Sequence, residues 1–245
     1  MSDAIRLTWT GTFSAPDADT PFVPDISTGL LYDFDASDLL GVIADGAPVT
    51  NWVSSKGAGA VANRTLGSLA SGWSYPAFDA DGGPDGGPAV LFNGTQQIGN
   101  ITGTASYAQP TTLAVVCRSD SFANGTQARI VASGNNQLIA PLSEGYKAGS
   151  SSASAQLSSG VASTGWTSII YVGNGNSSML KVGYNSIITG PGGTLPLGAI
   201  SLGAPNSALS TSGLVGAIRK VRAYSRALTQ SDVEGLAAEL MSIVG

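Results

Sequence analysis

The sequence predicts an all-β fold, an antiparallel two-sheet sandwich, on two observations. The first is composition: the 245 residues include 33 glycines, 42% are hydrophobic and only 11% are charged. Glycine accepts positive φ in tight turns and β-branched residues suit pleated strands, so such chains form many short strands. The second is spacing, because apolar runs recur about every 10–15 residues from residue 28 onward and turn sequences such as DGG, NG and PGG separate them.

The first 27 residues are predicted to form an anchoring arm, distinct from a sandwich domain of residues 28–245. Residues 4–13 alternate apolar and polar side chains, as a half-buried strand does. The apolar positions are Ile5, Leu7, Trp9 and Phe13. The Pro/Asp-rich stretch SAPDADTPFVPD then favours an extended linker. We expect the tethered strand to fold back on its own domain or to add to another chain's sheet.

Nine strands are predicted within the sandwich domain. In order they are GLLYDF, VTNWV, AVLFNG, TTLAVVCR, ARIVASG, TSIIYVG, MLKVGY, AISLGA and LVGAIRKVRAYS. Each is a short run rich in β-branched or aromatic residues that ends near a turn sequence. Residues 143–164 hold few large apolar groups, which predicts a wide loop or a short exposed hairpin.

One helix is predicted, at the C-terminus. Thr229 has the position of an N-cap, and Asp232 follows three residues later as the capping-box acid. An apolar stripe at helical spacing consists of Val233, Leu236, Leu240 and Ile243. We therefore expect a short helix that docks on the sandwich.

Three stretches, taken in order, together resemble a known superfamily. They are LLYDFDASDL with DGAPVTNWVSSKGAGA, then GGPAVLFNGTQQI, and finally LVGAIRKVRAYSRALTQSDVEGLAAEL. The chain is similar over residues 28–243 to the laminin-G/concanavalin-A-like jelly-roll superfamily, of the kind found in bacteriophage virion proteins. The resemblance implies a concanavalin A-like jelly roll with an extended N-terminal arm and a short C-terminal helix.

Composition excludes several classes of chemistry. There is no histidine and one cysteine, Cys117, so His-based catalysis, a Ser-His-Asp triad, an intramolecular disulfide and a Cys or His metal centre are all excluded. Cys117 lies in an apolar run and is predicted to be a buried, inert thiol.

Charge and hydropathy argue against nucleic acid and a membrane span. A net charge of −5 with 11 scattered basic residues argues against nucleic acid. Arg219, Lys220, Arg222 and Arg226 alternate with apolar residues, which predicts an exposed strand face and not an anion site. No apolar run approaches the roughly 18 residues of a membrane span, and the opening MSDAIRLTW lacks the features of a secretory signal.

Asp33 and Asp35 share one face of a predicted strand, as the paired acids of jelly-roll glycosidases do. Three roles fit this spacing: a turn or cap, a calcium ligand, or a catalytic pair. We favour the first, in which the strand leaves the core at Asp33 and its acids fasten the bend. The chain is therefore predicted not to be an enzyme.

A second acidic loop, FDADGGPDGG, contains Asp79, Asp81 and Asp85. Carboxylates at this spacing resemble half of a calcium loop, although the terminal glutamate of an EF-hand is missing. We expect no cofactor, with calcium at this loop as the alternative.

Carbohydrate sites commonly stack a sugar ring on an exposed aromatic side chain. Four aromatic residues in loop-like sequence contexts are candidates: Trp73, Tyr75, Tyr107 and Tyr146. The alternative is that these side chains plug the ends of the sandwich. Trp52 and Trp166 lie in strand-like runs and are predicted to be core.

The sequence favours a non-enzymatic virion structural protein, a capsid-decorating or tail-associated subunit on the virion surface that assembles in the host cytoplasm. Its arm would bind other virion subunits, and uncovered strand edges favour a homo-oligomer. The alternative is a carbohydrate-binding module or adhesin without a virion role. Both are compatible with recognition of host surface glycans.

Overall fold

The structure is a computed structural model that describes residues 26–54, 65–99, 106–122, 128–133, 136–143, 145–149, 156–204 and 213–245. Of the predicted arm, residues 1–27, the structure describes only Ile26 and Ser27, and Ile5, Leu7, Trp9 and Phe13 lie outside the described ranges. In chain order the strands are β1 (Leu30–Asp35), β2 (Trp52–Val53), β3 (Thr65–Leu66), β4 (Ala77–Asp79), β5 (Ala89–Asn93), β6 (Ile98–Gly99), β7 (Thr111–Ser119), β8 (Val131–Ser133), β9 (Asn136–Leu142), β10 (Gly145–Ala148), β11 (Leu157–Ser158), β12 (Thr167–Gly173), β13 (Ser178–Val182), β14 (Ile188–Gly190), β15 (Ile200–Leu202) and β16 (Val215–Tyr224), and helix α1 (Gln230–Met241) follows.

The strands form two large antiparallel sheets and one small one. The larger sheet has the order β14-β13-β12-β7-β16-β5-β4, and β1 also pairs with β16. The second sheet has the order β11-β10-β9-β8-β15-β6, and β2 pairs with β3. All nine predicted strand regions contain strand residues. The predicted hairpin within residues 143–164 is present as β10 and β11, but it is not exposed, because Tyr146, Ala148 and Leu157 are buried.

The core lies between the two large sheets. The larger sheet contributes Phe34, Val115, Ile169 and Val221 to one buried cluster, and the second sheet contributes Val131, Ile139, Tyr146, Ile200 and Leu202. Trp52 belongs to the same cluster and is fully buried, as predicted. Within the described part of the chain, the predicted all-β fold with antiparallel sheets and one short C-terminal helix is therefore confirmed.

A second apolar cluster attaches α1 to the outer face of the larger sheet. It joins Ala114, Val116, Ile170, Val172 and Tyr224 of the sheet to Leu228, Val233, Leu236, Ala237 and Leu240 of the corner and helix. The predicted capping box is confirmed: Thr229 Oγ1 accepts from the Asp232 backbone N–H at 3.1 Å, and Asp232 Oδ2 accepts from the Thr229 N–H at 3.2 Å. The helix therefore begins and docks where its sequence predicts.

A bulge in β16 divides one of its edges between two partner strands. Along β7 the register runs from Ile218 opposite Cys117 to Lys220 opposite Val116, so Arg219 is the extra residue. β5 pairs with β16 up to Ile218, and β1 pairs with it from Lys220 onward. The bulge therefore brings basic side chains of β16 to the end of β1.

Two further predictions concern Cys117 and membrane spans. Cys117 is a free, fully buried cysteine, as predicted, and burial raises the pKa of its thiol. Within the described ranges, no helix has the length and hydropathy needed to cross a bilayer.

Candidate functional site

Asp33 and Asp35 lie on the outer face of β1, opposite basic residues of β16. Asp33 pairs in register with Arg222, and Asp35 pairs with Lys220. Arg222 Nε lies 2.9 Å from Asp33 Oδ2, and Lys220 Nζ lies 3.4 Å from Asp33 Oδ1. The prediction that the strand leaves the core at Asp33 is wrong, because β1 continues to Asp35 and Asp33 is only 1% exposed.

Asp35 does fasten a bend, as predicted. Its carboxylate accepts from the Ser37 backbone N–H at 2.8 Å and caps the short 3₁₀ turn Ala36–Leu39. It also contacts Arg219, and Lys220 Nζ lies 2.9 Å away. Burial alone would raise the pKa of Asp35, but hydrogen bonds from Ser37, Lys220 and Arg219 outweigh it and hold the pKa well below its ordinary value.

The basic stretch of β16 is not an exposed face, so that prediction is wrong. Lys220 and Arg222 are buried. Arg222 bridges two elements, because its Nη2 lies 2.9 Å from Glu239 Oε1 on α1. Arg226, predicted to stay in water, is half-buried and pairs with Asp232 at 3.3 Å. Each base lies beside a carboxylate that neutralises it.

The helix rests across one row of side chains on the larger sheet. Lys181 of β13 lies opposite Ile170, which lies opposite Ala114, which lies opposite Arg222. Two helix glutamates reach the ends of this row: Glu234 pairs with Lys181 at 2.6 Å, and Glu239 pairs with Arg222. The ion pairs therefore flank the apolar contact and fix the helix on the sheet.

The ion pairs of this network neutralise buried charges, an arrangement that does not favour proton transfer. Glycoside hydrolysis requires one carboxylic acid with a raised pKa and a second carboxylate on the other side of the scissile bond. Asp33 is buried between two bases, and the pKa of Asp35 is lowered. With its pKa lowered, Asp35 cannot easily hold the proton that a general acid donates.

The second acidic loop forms turns. Asp79 Oδ1 accepts from the Asp81 backbone N–H at 3.0 Å, and Asp85 is exposed with a positive φ of 52°. Nowhere in the described part of the chain do three or more His, Cys, Asp or Glu side chains converge to hold a metal ion.

The four candidate aromatic residues differ in their exposure and in the residues that they contact. Tyr146 is buried on β10, packs edge-on against Phe122 at 5.3 Å, and donates to the Ser163 carbonyl at 2.9 Å. Trp73 is 7% exposed. Tyr146 and Trp73 are therefore both buried, which agrees with the alternative that these side chains plug the ends of the sandwich.

Tyr75 and Tyr107 are half-buried. Tyr75 donates to the Gly67 carbonyl at 2.8 Å, and Tyr107 exchanges backbone hydrogen bonds with Leu197. Trp166, predicted to be core, is half-buried beneath the Arg118 guanidinium at 5.6 Å from the ring centre. A sugar-stacking role for the four candidates, Trp73, Tyr75, Tyr107 and Tyr146, stays a prediction.

A surface groove that the sequence analysis did not predict is formed by the segment that connects β1 to β2. It has a volume of about 670 Å³ and is lined by Asp38, Leu39, Val42, Ile43, Ala44, Ala47, Pro48, Thr50, Asn51 and Val53. Val42 is 76% exposed and Val53 is 38% exposed, although both are apolar. Exposed apolar residues around a concavity are typical of a binding surface. We call this feature the 38–53 groove.

Hydrogen bonds to backbone carbonyls attach the groove segment to its neighbouring elements. The Trp52 indole N–H donates to the Asp35 carbonyl at 3.3 Å, and the Ser54 hydroxyl donates to the Asp33 carbonyl at 3.1 Å. Near the middle, the Val49 N–H donates to the Pro76 carbonyl at 2.8 Å. The groove is therefore formed on a framework fixed to β1 and to the segment that leads into β4.

Further contacts fix the far wall of the groove. The Asp45 carboxylate accepts from the Ala80 N–H at 2.9 Å, and the Phe78 N–H donates to the Ala47 carbonyl at 2.9 Å. Leu39 is buried and belongs to the main core, and Ile43 packs against that core. These contacts join the apolar floor of the groove to the sandwich.

The lining combines aliphatic walls with a few polar groups. Asp38, Thr50 and Asn51 are exposed and supply a carboxylate, a hydroxyl and an amide. Of the ten described lining residues, none is basic and none is aromatic. Apolar walls with a few polar groups are the usual composition of a small-ligand site.

The comparisons with known proteins support the fold. No protein-family model matches the chain, and no curated protein matches it in sequence. A similar solved structure is Domain 4 of AbnA, a GH43 extracellular arabinanase from Geobacillus stearothermophilus, in complex with arabinotriose. That match has 14% identity and a TM-score of 0.58, and it covers 86% of this chain and 99% of that domain.

Two other similar structures are larger enzymes. A Trypanosoma rangeli sialidase in complex with sialic acid matches at 17% identity and a TM-score of 0.55, over 92% of this chain and 36% of the sialidase. A mutant GH54 α-L-arabinofuranosidase soaked with 4-nitrophenyl α-L-arabinofuranoside matches at 13% identity and a TM-score of 0.56, over 89% of this chain and 60% of that one. At these identities the chain shares with them a two-sheet fold.

Proposed function

We propose that this chain is a non-catalytic carbohydrate-binding module and that the 38–53 groove is its binding site. The observation that carries the proposal is the likeness to Domain 4 of AbnA, which covers 99% of that domain at a TM-score of 0.58. That domain was determined with arabinotriose bound. The sialidase and the arabinofuranosidase were likewise determined with, or soaked with, saccharide compounds.

The dimensions of the groove support this role. Its volume of about 670 Å³ falls within the range of about 300–1,000 Å³ that is usual for small-ligand sites. Because its walls are fixed to β1 and β4, a ligand would not have to order them, which reduces the entropic cost of binding.

The environment of the carboxylates supports binding in preference to hydrolysis. Asp33 and Asp35 form ion pairs with bases of β16, and they lie on β1, the strand that the groove segment follows in the chain. In this proposal they position the groove, because the backbone carbonyls of the same two residues accept from Ser54 and Trp52.

Beyond the two-sheet fold, we propose that the topology is a concanavalin A-like jelly roll. In such a topology, loops at the edge of the sandwich can bind saccharides. The virion role stays a prediction, because it depends on the arm of residues 1–27, and the predicted anchoring residues Ile5, Leu7, Trp9 and Phe13 lie outside the described ranges.

The test is a calorimetric titration of the full chain with a panel of oligosaccharides. We expect binding that weakens about tenfold in Asn51→Ala, which removes roughly 1.4 kcal/mol of hydrogen bonding. Asp81→Asn is the control for a surface polar change, since Asp81 is exposed and does not line the groove. The proposal fails if no oligosaccharide binds, or if Asn51→Ala binds as tightly as the unchanged chain.

A further inference from the structure

We infer that two copies of this chain associate through β14, the outer edge of which pairs antiparallel with the same edge of a second copy. The occupant of this edge is thus a second protomer related by a two-fold axis. Three observations carry the inference: the open edge of β14, the nearly uncharged sequence that forms this side of the sandwich, and the exposed apolar side chains at both ends of the strand.

Three other outer strands of the molecule are covered by the chain itself. The Phe78 N–H of β4 donates to the Ala47 carbonyl, and Gly99 of β6 exchanges backbone hydrogen bonds with Ser68. The Ser54 hydroxyl bonds to the backbone N–H and carbonyl in the middle of β1. A covered edge cannot accept a further strand, so these three edges are closed to a partner.

β14 is the outer strand at the far end of the larger sheet from β4. Within the described ranges, its residues pair with β13 alone. Thr189 is exposed, and Ile188 is only half-buried although it packs against the main core. A strand with one unpaired edge is a template for the addition of another strand. A second strand beside β14 would also complete the burial of Ile188.

The sequence that forms this side of the sandwich is almost uncharged. β11, β12, β13 and β14 lie within residues 148–218, where Lys181 is the one charged residue. Lys181 is buried and pairs with Glu234 of the helix at 2.6 Å, which neutralises it. Lys147 lies just before this stretch, on β10. Soluble proteins commonly protect an outer strand with charged side chains, and the sequence places none on β14.

This distribution of charge favours a second copy as the partner. The chain has a net charge of −5, so two copies repel each other wherever their acidic surfaces meet. Every acidic residue lies outside residues 148–218, and two copies can therefore approach through this side without bringing carboxylates together. A strongly charged partner would find no opposite charge on β14 to attract it.

The sequence of β14 also suits pairing with itself. A two-fold axis at Thr189 places this residue opposite the partner's Thr189, and Ile188 opposite the partner's Gly190. Threonine pairs across antiparallel strands are favourable. Two-fold dimers in which one patch contacts the same patch of a second subunit are the commonest oligomers.

Exposed apolar side chains lie at both ends of β14. Tyr184 precedes the strand and is 77% exposed, and Leu195 follows it and is 38% exposed. Because the paired strands run in opposite directions, Tyr184 of one protomer approaches the end of β14 that carries the partner's Leu195. Removal of both side chains from water would stabilise the dimer.

The 38–53 groove stays open in this dimer. The groove segment contacts β4, at the opposite end of the larger sheet from β14. Two such grooves in one dimer could engage one polymer at two points, which raises the apparent affinity without any new contact. The association itself does not depend on what the groove binds.

The test is sedimentation velocity of the full chain at neutral pH over a range of micromolar concentrations. We expect a reversible dimer. Thr189→Lys and Thr189→Glu each place two like charges opposite each other at the two-fold axis, so each should weaken dimerisation about tenfold or more. An equal mixture of the two variants should dimerise again, because opposite charges then face each other.

Ser71→Lys is the matched control. Ser71 is exposed, and the neighbouring Ala70 N–H donates to Gln97 beside β6, at the other end of the second sheet from β11. This variant should dimerise as the unchanged chain does. A monomer at every concentration overturns the inference. So does a dimer that persists in both Thr189 variants, or a mixture of the two that stays monomeric.

Hydrogen exchange supplies a measurement that needs no variant. The amides of residues 188–190 in the unchanged chain should exchange severalfold more slowly above the dimer Kd than below it, because pairing protects them. This readout decides the matter if a Thr189 variant lowers Tm. Exchange that does not slow at residues 188–190 while the dimer forms would place the interface elsewhere and refute the role of β14.

Discussion

Arg222 Nη2 lies 2.9 Å from Glu239 Oε1, an ion pair that joins β16 to α1. The same guanidinium holds Asp33 of β1 at 2.9 Å. One buried side chain therefore connects the first strand, the last strand and the terminal helix. Hydrogen bonding to Glu239 and the negative charge of Asp33 outweigh the effect of burial and raise the pKa of Arg222, so the guanidinium stays protonated at every working pH.

Removing the charge of Glu239 should loosen the helix. We expect Glu239→Gln to lower the free energy of unfolding by about 1 kcal/mol, which corresponds to a fall in Tm of about 2–4 °C for a chain of this size. Differential scanning calorimetry measures the change. Asp81→Asn, which removes an exposed charge away from the helix, should leave Tm unchanged. An equal Tm for Glu239→Gln and the unchanged chain would show that the ion pair adds nothing.

Truncating Asp33 should be more damaging. In Asp33→Ala the buried bases Lys220 and Arg222 lose a carboxylate within 3.4 Å and 2.9 Å. Each base keeps one other carboxylate, Asp35 for Lys220 and Glu239 for Arg222, so the loss should be about 1.5–3 kcal/mol, the usual contribution of hydrogen bonds to charged groups. Urea denaturation followed by tryptophan fluorescence should show the loss as a lower midpoint. A loss below about 1 kcal/mol, the size expected at an exposed site, would argue against the buried network.

Stability should depend on pH through Asp35. Its pKa is lowered in the folded chain from an ordinary value of 3.8. A depressed folded pKa contributes stability that is fully present above the unfolded value and is lost as the pH falls through the folded one. Between pH 5 and pH 2, Asp35→Asn should therefore show a shallower loss of unfolding free energy than the unchanged chain. Parallel curves for the two proteins would contradict this role of Asp35.

Cys117 should be inert until the chain unfolds. It is fully buried, and burial raises the pKa of its thiol, which leaves little thiolate to react. A disulfide reagent such as 5,5′-dithiobis(2-nitrobenzoic acid) should label no thiol in the native chain and one per chain in 6 M guanidinium. Rapid labelling under native conditions would mean that β7 opens easily.

Local sequence predicted the helix well. The cap at Thr229 and the stripe of Val233, Leu236 and Leu240 depend on residues three or four apart, which the sequence displays directly. Trp52 was likewise predictable as core from its apolar run.

The charge network was not predictable in the same way. Asp33 and Arg222 are 189 residues apart in sequence, and only the register of β1 on β16 places them opposite each other. The Arg219 bulge also shifts the register of β16 on β7 by one residue, and no local sequence pattern predicts it. The acids of LYDFDASD therefore resembled ordinary turn formers, although only Asp35 caps a turn.

The sequence does contain a pattern that indicates the groove. The run LLGVI, residues 39–43, is apolar but falls in none of the nine predicted strands. Apolar residues that no strand or helix absorbs are candidates for a surface patch. Tyr146 has small and polar neighbours in the sequence, yet it lies on β10 and belongs to the main core.

The most direct test of the carbohydrate-binding account is an NMR titration of the ¹⁵N-labelled full chain with arabinotriose. We predict that amide chemical shift changes concentrate on residues 38–53, with Asn51 and Val53 among the largest, and that they saturate with a single Kd. A spectrum that stays unchanged at millimolar arabinotriose, or changes that concentrate away from residues 38–53, would contradict the assignment of the groove as the saccharide site.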